Sequence, residues 1–415
     1  MPGKKLEAPE SLERTGLVVL NLLGQIAFGM LLMSLCLPSM QSWSAYFGEP
    51  QSRVQLTFGA YVVAFGLTQL VYGPWSDRYG RKKILIFGLA LAGVGSLWAA
   101  LSDSLSTLIV ARAVQGAGAS AGMVIGRAMV QDLFQGTNRA RIMAYVGMAM
   151  GMSLPLATLV GGQLHELVGW QANFVLATLL SAVLIVLAWR GLPSLIGPHS
   201  GIDRHWLAAM SVSYLKLVLE PVFLLYVTMM SFTYSTLYAF FSGAPLVLTE
   251  YGLGPGEMGW FVGCMTVSNI AGSFLASRWA QRLGEHTIMA YGQLLTVGGL
   301  LLMLGLALMG VDQSWAFAVP LLFIGLGHGL MVPLMLVGIV GVVPDLAGAA
   351  AAVAGLMQQL LGALGSYSVG LLPHLNTASL AALMLYFAAI ALAAQMLLHF
   401  GLRPRSLPWR VQAPK

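Results

Sequence analysis

The chain has 415 residues, of which 58% are hydrophobic and only 9% are charged, and its mean hydropathy is +0.80. A soluble domain carries about 25% charged residues, so this composition excludes a water-exposed globular enzyme and a disordered chain. The formal net charge of +6 would favour nucleic acid only if it formed a basic, water-exposed face. We instead predict a polytopic membrane protein with no nucleic-acid partner.

Twelve long apolar runs predict the architecture. A transmembrane helix needs about 20 apolar residues, whereas the strands of a membrane barrel span about ten residues and alternate in polarity. The predicted spans are residues 16–38, 54–75, 84–101, 106–131, 140–165, 170–190, 221–245, 256–277, 286–310, 314–340, 347–372 and 378–400. The first run is longer than the apolar part of a signal peptide and has no convincing cleavage site, so we expect it to be retained. The sequence therefore predicts an all-α fold.

The distribution of basic residues predicts the orientation. Cytoplasmic loops are enriched in lysine and arginine. If the N-terminus is cytoplasmic, the 21 lysines and arginines all lie on the cytoplasmic side except Arg53, on the opposite side, and Arg112 and Arg127, within the fourth span. One missed span would invert every later loop and destroy this asymmetry. We therefore predict twelve spans with both termini cytoplasmic.

A polar break divides the chain into two halves. The segment Asp77-Arg-Tyr-Gly80, between the second and third spans, has a weak counterpart in Gln281-Arg-Leu-Gly284, between the eighth and ninth. Internal repeats of this kind are common in secondary transporters. The predicted organisation is a cytoplasmic N-terminal segment (1–15), an N-terminal six-helix bundle (16–190), a cytoplasmic central loop (191–220), a C-terminal six-helix bundle (221–400) and a cytoplasmic basic tail (401–415).

Residues for catalysis, metal binding or a cofactor are not evident. Cys36 and Cys264 fall in apolar runs of opposite halves, so neither a disulfide framework nor a metal cluster is predicted. Gly118-Ala-Ser120-Ala-Gly122 matches a hydrolase pattern, but it lies inside a predicted helix without His and acid partners. A glycine-rich stretch of the tenth span lacks the strand and acidic residue of a nucleotide site. We predict that the chain is not an enzyme.

The loop between the second and third spans carries a glycine and charge motif. It reads Gly73-Pro-Trp-Ser-Asp77-Arg78-Tyr-Gly80-Arg81-Lys82-Lys83. Glycine permits a tight turn between two helices, and charged side chains at the water boundary can pair or cap helix ends. The segment closely resembles the loop motif of the major facilitator superfamily, G-x-x-x-D-R-x-G-R-K/R. The alternative is a basic loop that only fixes the topology.

Two further segments resemble motifs of the same superfamily. Span four contains Arg112-Ala-Val-Gln115-Gly-Ala-Gly-Ala, similar to R-x-x-Q-G-x-G-A. Span five contains Pro155 and the pair Gly161-Gly162, similar to the superfamily's antiporter motif. The antiporter match is imperfect, since these exporters usually have proline where this chain has threonine, three residues after Pro155.

The finer resemblance is to the bicyclomycin- and chloramphenicol-resistance (Bcr/CflA-type) branch of drug exporters. It rests on Leu37-Pro-Ser-Met40, Arg53-Val-Gln-Leu-Thr57 and Gly126-Arg127-Ala-Met-Val-Gln-Asp132-Leu. The resemblance is strongest over residues 34–175. It implies two helix bundles around a central cavity and transport by alternating access. It also implies that Asp77 belongs to a cytoplasmic gate, with Arg81 and Asp132 as partners.

Arg112 is the first candidate for substrate binding. A charged side chain in hydrocarbon costs roughly 3 kcal/mol on insertion scales and needs a polar cavity or partner; the resemblance places this one on the cavity beside span one. Related exporters commonly carry an acid in span one where this chain has Ser34, and no Asp or Glu lies in the middle of any predicted span. We predict that Arg112 attracts an anionic or strongly hydrogen-bonding substrate group, with Gln115, Gln25 and Ser34 as neutral partners. The alternative is a packing role against backbone carbonyls.

His328 is the candidate for proton coupling. It lies near the middle of span ten, and the unperturbed pKa of histidine, about 6.5, allows proton exchange under physiological conditions. The alternative is a histidine that is only hydrogen-bonded to a neighbouring helix. Arg127, nearer the cytoplasmic end of span four, can reach the interface or Asp132, and a structural role is an equal possibility for it.

Aromatic side chains are candidates for the cavity wall, since they suit bulky amphipathic solutes. These are Tyr61, Phe65, Tyr234, Tyr238, Phe241 and Trp260. The alternative is that most aromatic side chains face lipid, another helix or the interface.

These features predict a secondary active exporter of small amphipathic molecules that works by proton antiport and alternating access. No nucleotide-binding motif accompanies the spans, so ATP is not the expected energy source. The alternatives are an exporter of an endogenous metabolite such as a siderophore, and an uncoupled or other-ion-coupled facilitator. We expect a multi-pass monomer of the bacterial inner membrane whose partners are a small-molecule substrate, protons and the lipid bilayer, with no metal or cofactor.

Overall fold

The computed structural model describes residues 12–195, 215–254, 256–311, 313–343 and 346–401. Most of the predicted N-terminal segment, central loop and basic tail therefore lies outside the described residues, at 1–11, 196–214 and 402–415.

The described chain is helical in both halves. The N-terminal half consists of α1 (Leu12–Leu35), α2 (Met40–Phe47), α3 (Gln51–Tyr79), α4 (Arg81–Ala100), α5 (Leu105–Leu133), α6 (Gly136–Val168) and α7 (Gln171–Gly191). The C-terminal half consists of α8 (Pro221–Glu250), α9 (Met258–Leu283), α10 (Glu285–Leu308), α11 (Ser314–Val342), α12 (Ala347–Val369) and α13 (Thr377–Met396), which ends in a π-helical turn, Leu397–Gly401. Within the described residues, twelve helices are long and apolar enough to cross a membrane.

Each predicted span corresponds to one long helix, which confirms the all-α, twelve-span fold. The ends differ by a few residues, because hydropathy marks only the part of a helix in hydrocarbon. The predicted span 54–75 is the helix Gln51–Tyr79, and the predicted span 140–165 is the helix Gly136–Val168. The backbone hydrogen bonds of both helices continue into the interface, where polar side chains are tolerated.

The short helix α2 was not predicted, because its eight residues are too few to cross a membrane. It follows a turn at residues 36–39, so the first span ends at Leu35 rather than at residue 38. Its buried Trp43 lies 5.7 Å from Trp170 and 6.2 Å from Phe174, measured between ring centres. These aromatic contacts fix α2 to the start of α7, on the side of the membrane opposite the cytoplasm, here called the extracytoplasmic side.

Glycines bring α5 into backbone contact with three neighbouring helices. A Cβ atom at Gly116 would lie 2.2 Å from the carbonyl oxygen of Tyr61 in α3, and one at Gly118 would lie 2.3 Å from the backbone of α4. A Cβ atom at Gly122 would lie 2.2 Å from the carbonyl oxygen of Gln25 in α1. Lipid supplies no hydrophobic force between helices, so close packing of small residues holds such a bundle together.

Helix α11 occupies the equivalent place in the C-terminal bundle. Added Cβ atoms at Gly325 and Gly329 would lie 2.3 and 2.1 Å from carbonyl oxygens of α9, and one at Gly327 would lie 2.4 Å from a carbonyl oxygen of α10. Residues four apart share a helix face, so Gly325 and Gly329 contact α9 while Gly327, on another face, contacts α10. Helix packing accounts for the glycine-rich stretch of the tenth span.

The two bundles meet along the helix pairs α3 with α12 and α6 with α9. These contacts include the extracytoplasmic halves, where Gly370 lies beside Ser52 and Gly259 lies beside Leu159. In the cytoplasmic half of α6, by contrast, an added Cβ atom at Gly147 would have no neighbour within 4 Å. The described bundles are therefore closely joined on the extracytoplasmic side. The contact of α3 with α12 continues past mid-height, where Gly355 lies beside Gln69, while α6 has open space beside Gly147 in its cytoplasmic half.

We predict that Gly122→Ala destabilises the N-terminal bundle by about 1–3 kcal/mol, the usual cost of overpacking, because α1 must move away from α5. Gly147→Ala is the matched control, since it adds the same methyl group in open space and gains about 1 kcal/mol of helix propensity. The measurement is thermal unfolding of the purified proteins in one detergent. Equal melting temperatures for the two variants would contradict the close approach of α1 and α5.

Candidate functional site

A cavity of about 210 Å³ lies between the bundles, at mid-height of the long helices. Its N-terminal wall comes from α1 and α6 and is apolar, with Met30, Met33, Met150, Gly151 and Leu154. Its C-terminal wall comes from α8, α9 and α11 and adds polar groups, which are Thr233, Tyr234, Tyr238, Thr266, Asn269, Ser273 and His328. Methionine adapts to ligands of different shapes, and a few polar groups fix a ligand's orientation. The arrangement suits a molecule with an apolar body and a polar end.

His328 lies on the cavity wall. It is only 2% exposed, and its Nε2 atom has no hydrogen-bond partner among the described residues. Asn269 and Ser273 of α9 line the same wall. An imidazole nitrogen in this position can exchange a hydrogen bond or a proton with a molecule in the cavity.

Arg112 does not line the cavity. It is 0% exposed inside the N-terminal bundle, where the carbon of its guanidinium group lies 4.3 Å from the ring centre of Tyr61 and 5.9 Å from that of Phe174. Its Nη1 atom donates to the carbonyl oxygen of Leu32 at 3.3 Å and to the side chain of Gln115. The expected position of Arg112 on the cavity is therefore wrong for this conformation. Two aromatic faces, together with an amide and a carbonyl bonded to Nη1, hold the guanidinium group inside the bundle, while its Nε and Nη2 atoms have no hydrogen-bond partner among the described residues.

The other predicted N-terminal residues also lie inside that bundle. Gln115 donates to Ser96 at 2.8 Å, and the Tyr61 hydroxyl donates to a carbonyl oxygen of α1 at 2.7 Å. Ser34 donates to a carbonyl oxygen of its own helix at 2.9 Å, and Gln25 donates to one of α7 at 3.0 Å. Gln115 and Tyr61 thus contact Arg112, whereas the polar groups of Ser34 and Gln25 bond elsewhere. All four are buried and lie away from the cavity wall.

Three of the six candidate aromatic residues line the cavity: Tyr234, Tyr238 and Phe241, all on α8. Phe65 is buried in the N-terminal bundle, stacked on Tyr61. Trp260 is 69% exposed on the outer surface of α9, so its expected place in the wall is wrong. Hydropathy does not reveal which face of a helix meets a cavity and which meets lipid.

Arg127 lies at the edge of the cavity. Its side chain is half-buried, and its Nη2 atom lies 3.2 Å from the sulfur of Met150, which lines the cavity. Asp132, considered as a partner from the sequence, is bound by Arg81 instead. Among the described residues, no carboxylate forms an ion pair with Arg127.

The cytoplasmic charges form one cluster, as the family resemblance implied. Arg81 of α4 pairs with Asp77 of α3 and, through Nε at 3.0 Å, with Asp132 of α5. It also donates to the Ser76 hydroxyl at 2.8 Å. One guanidinium group therefore ties the cytoplasmic ends of three helices together.

The rest of the motif forms the turn and its link to the start of the central loop. Gly80 has φ of 101°, a left-handed conformation that favours glycine. Lys82 donates to the carbonyl oxygen of Leu192 at 2.9 Å, and the Arg78 guanidinium lies 5.5 Å from the ring centre of the following tyrosine. Gly73 is uncrowded, since an added Cβ atom would lie 3.9 Å from its nearest neighbour.

The antiporter-like residues shape α6. A Cβ atom at Gly161 would lie 1.9 Å from the carbonyl oxygen of Leu35, and the carbonyl oxygen of Gly161 accepts from Asn173 at 3.0 Å. Gly162 is buried beside it, and Pro155 lies at the contact with α9. These residues therefore define how α6 fits between α1 and the opposite bundle.

Polar contacts that the sequence did not predict close the extracytoplasmic side. Gln55 of α3 donates to the carbonyl oxygen of Ser242 at 3.2 Å and accepts from the Ser366 hydroxyl at 3.4 Å. The Gly256 amide donates to Glu166 at 2.8 Å. All three hydrogen bonds cross between the bundles. The signal for them in the sequence was a polar side chain, Gln55, at the start of an otherwise apolar span.

A sequence profile of the Major Facilitator Superfamily matches residues 22–366. The chain belongs to the Major Facilitator Superfamily. The match takes in helices of both bundles, as expected for a secondary transporter of small molecules. Members of this superfamily are transporters rather than enzymes.

Relatives within the superfamily include resistance proteins. The chain is 28% identical over 370 residues to multidrug resistance protein D of Escherichia coli, covering 88% of this chain and 92% of the relative. It is 26% identical to a chloramphenicol resistance protein of Pseudomonas aeruginosa, covering 83% and 82%. Its fold matches an inward-facing, occupied bacterial homologue of the human lysosomal transporter Spinster, with a TM-score of 0.74 at 14% identity over 93% of this chain and 96% of the other.

We predict that the cavity of this superfamily member reacts from the cytoplasmic side. A cysteine placed at Gly151, with both native cysteines replaced, should react with a membrane-impermeant maleimide much faster in everted than in right-side-out vesicles. Ser106→Cys, at an exposed extracytoplasmic position, is the control and should show the opposite preference. Labelling of the Gly151 cysteine mainly in right-side-out vesicles would contradict the closed extracytoplasmic side.

We also predict that Asp77→Asn slows transport about tenfold, which corresponds to about 1.4 kcal/mol in the barrier, with little change in substrate affinity. The substitution weakens the anchor of Arg81 but leaves the cavity untouched. Transport rate and equilibrium binding would be measured on the same preparation, with the exposed Asp103→Asn as the control. A loss of affinity as large as the loss of rate would be incompatible with a gate.

Proposed function

We propose that the chain exports small amphipathic molecules from the cytoplasm by alternating access. The observation that carries this proposal is the cavity, with a methionine-rich apolar wall facing a wall that bears hydroxyl, amide and imidazole groups. A molecule with an apolar body and a polar end satisfies both walls at once. The open space beside Gly147, in the cytoplasmic half of α6, supports entry of such a molecule from the cytoplasm.

The relatives support the outward direction. Two of them carry the names of a multidrug resistance protein and a chloramphenicol resistance protein. A transporter protects a cell by removing the toxic molecule from the cytoplasm. We therefore propose multidrug-type efflux by a monomer in the bacterial inner membrane, with the antiporter-like motif of α6 shaping the path.

We further propose that His328 couples export to inward movement of protons. No Asp or Glu lies in the middle of a span, and none lines the cavity among the described residues. The cavity wall contains His328, Tyr234 and Tyr238 as titratable groups, with Arg127 at its edge. Histidine is the group of these that changes charge near neutral pH. If proton and solute use the same wall in turn, the two are exchanged rather than carried together.

Two alternatives keep the same fold. The cargo of the first is a siderophore or another endogenous metabolite, and the second is a facilitator that is uncoupled or coupled to another ion. No structural observation favours either of them. Both are outcomes of the following experiment.

The test uses everted vesicles with an acid interior and a quenched, pH-sensitive dye. Adding an exported solute should dequench the dye as protons leave in exchange. We expect His328→Gln to abolish dequenching while labelled solute still equilibrates, because the proton carrier is lost and the path remains. The panel contains cationic, neutral and anionic amphipathic solutes and a siderophore.

His374→Gln is the control, since this histidine is exposed in an extracytoplasmic loop; it should behave as the unmodified protein. Dequenching that survives in His328→Gln would eliminate this histidine as the carrier. Movement of labelled solute without dequenching, across the whole panel, would identify a facilitator or another coupling ion. A response to the siderophore alone would support the metabolite alternative.

A further inference from the structure

Arg127 is a charged group beside the cavity that the proposed proton exchange does not use. It lies six residues before the cytoplasmic end of α5, Leu133, which is about 9 Å along the helix at 1.5 Å per residue. Helical side chains lean toward the N-terminus of their helix, and α5 begins on the extracytoplasmic side. The Arg127 side chain therefore reaches back toward the middle of the membrane, where it contacts Met150. An arginine that extended its charge to the cytoplasmic water would point the other way, toward Leu133.

The charge of Arg127 has fewer favourable contacts than the charges of Arg112 and Arg81. Arg112 lies against two aromatic rings and an amide, and Arg81 binds two carboxylates. Among the described residues, no carboxylate forms an ion pair with Arg127, no aromatic ring lies against its guanidinium group, and its hydrogen-bond partner is a thioether sulfur. A thioether is a weak acceptor, so the guanidinium group keeps most of its capacity to bind an anion.

Tyr234 supplies a second donor from the opposite bundle. It lines the cavity on α8, as does Met150 on α6, whose sulfur contacts Arg127. Its hydroxyl makes no hydrogen bond to another described side chain, so it can donate to a ligand in the cavity. Met150 thus places the guanidinium group of Arg127 at the edge of the cavity whose wall carries the Tyr234 hydroxyl.

We infer that Arg127 and Tyr234 form an anion subsite of the cavity, which recognises the carboxylate of an otherwise apolar, aromatic cargo. The inference rests on the proposed function, since it takes the cavity as the site of the transported molecule. A guanidinium group binds a carboxylate through two parallel hydrogen bonds. The apolar part of the cargo then lies against Met30, Met33 and Phe241.

The subsite also connects binding to movement. Arg127 belongs to the N-terminal bundle and Tyr234 to the C-terminal bundle. An anion held by both residues stabilises the arrangement in which these helices are closer together. A ligand shifts a conformational equilibrium by its preference for one state, so an acidic cargo favours cytoplasmic closure.

The test compares three ligands of one shape: 1-naphthylacetate, its uncharged amide 1-naphthylacetamide, and the cation 1-naphthylethylammonium. Binding is measured by equilibrium dialysis with the full chain in phosphatidylcholine nanodiscs, without a gradient. We expect the carboxylate to bind about tenfold more tightly than the amide, as one charge-assisted pair allows. Arg127→Gln should make the two affinities equal, and Arg127→Lys should retain part of the difference. Tyr234→Phe should reduce it about threefold, the loss of one hydrogen bond.

Arg190→Gln is the matched control, because it removes the same charge from an exposed position at the cytoplasmic end of α7. It should leave the ratio of affinities unchanged. A ratio that persists in Arg127→Gln would overturn the inference. The unmodified protein gives a test that needs no variant, since equal binding of all three ligands would overturn the subsite while the proposed cavity stands.

Two further outcomes separate the remaining possibilities. Nanodiscs that also contain phosphatidylglycerol test whether a lipid headgroup occupies the subsite, and loss of the carboxylate preference in them would overturn a role in cargo recognition. Binding of none of the three ligands would contradict the proposed function of the cavity, and the subsite with it. Failure of proton coupling in the vesicle experiment leaves the binding ratio unaffected, so the two proposals fail in different measurements.

Discussion

The free energy of placing a charge in hydrocarbon governs where the ionisable side chains of this protein lie. Arg112 is tolerated at the centre of a bundle because two aromatic faces, an amide and a carbonyl surround it. Arg81 lies where the helices reach water and binds two carboxylates. Arg127 has no such enclosure among its described neighbours and lies beside the cavity. Because a charge in hydrocarbon needs partners, Arg112 and Arg81 lie where the protein supplies them and stabilise a bundle. Arg127 lacks such partners among the described residues, so it can bind a ligand.

Close glycine contacts occur within the bundles and also between them, where Gly259 and Gly370 meet backbone atoms of the opposite bundle. Within a bundle, glycines such as Gly122 bring backbones so close that an added methyl group has no space. Between the bundles, the extracytoplasmic side is closed by few polar contacts, among them those of Gln55 and Glu166. A neutral hydrogen bond contributes only about 1 kcal/mol net. We propose that opening that side breaks these polar contacts while each bundle moves as a unit, as transport by alternating access requires.

Much of the fold follows from the sequence, because span length and the distribution of basic residues are set by the membrane itself. The cluster of Asp77, Arg81 and Asp132 was also predictable, since a motif marks it. The orientation of a residue around its helix was not. A span that is apolar on every face gives no periodic signal, so Trp260 was expected in the cavity wall. Arg112 was expected on the cavity because the family resemblance placed it there. The contacts of Gln55 depend on how two distant helices meet, which no local pattern encodes.

An anionic cargo would account for two unusual features of the transport path, which are the lack of a carboxylate in the middle of any span and an arginine beside the cavity without an acidic partner among the described residues. This chain has no Asp or Glu in the middle of a span, and a carboxylate on the transport path would repel an acidic solute. Among the described residues, Arg127 forms no ion pair with a carboxylate, so it remains able to bind an anion. The energetics agree, because moving one negative charge outward across an inside-negative potential of 100 mV releases about 2.3 kcal/mol. Exchange for an inward proton moves a second charge in the same favourable sense, so export of an acid places less demand on the proton carrier than export of a cation. Under the proposed coupling, a lone histidine would therefore serve an acidic cargo better than a cationic one.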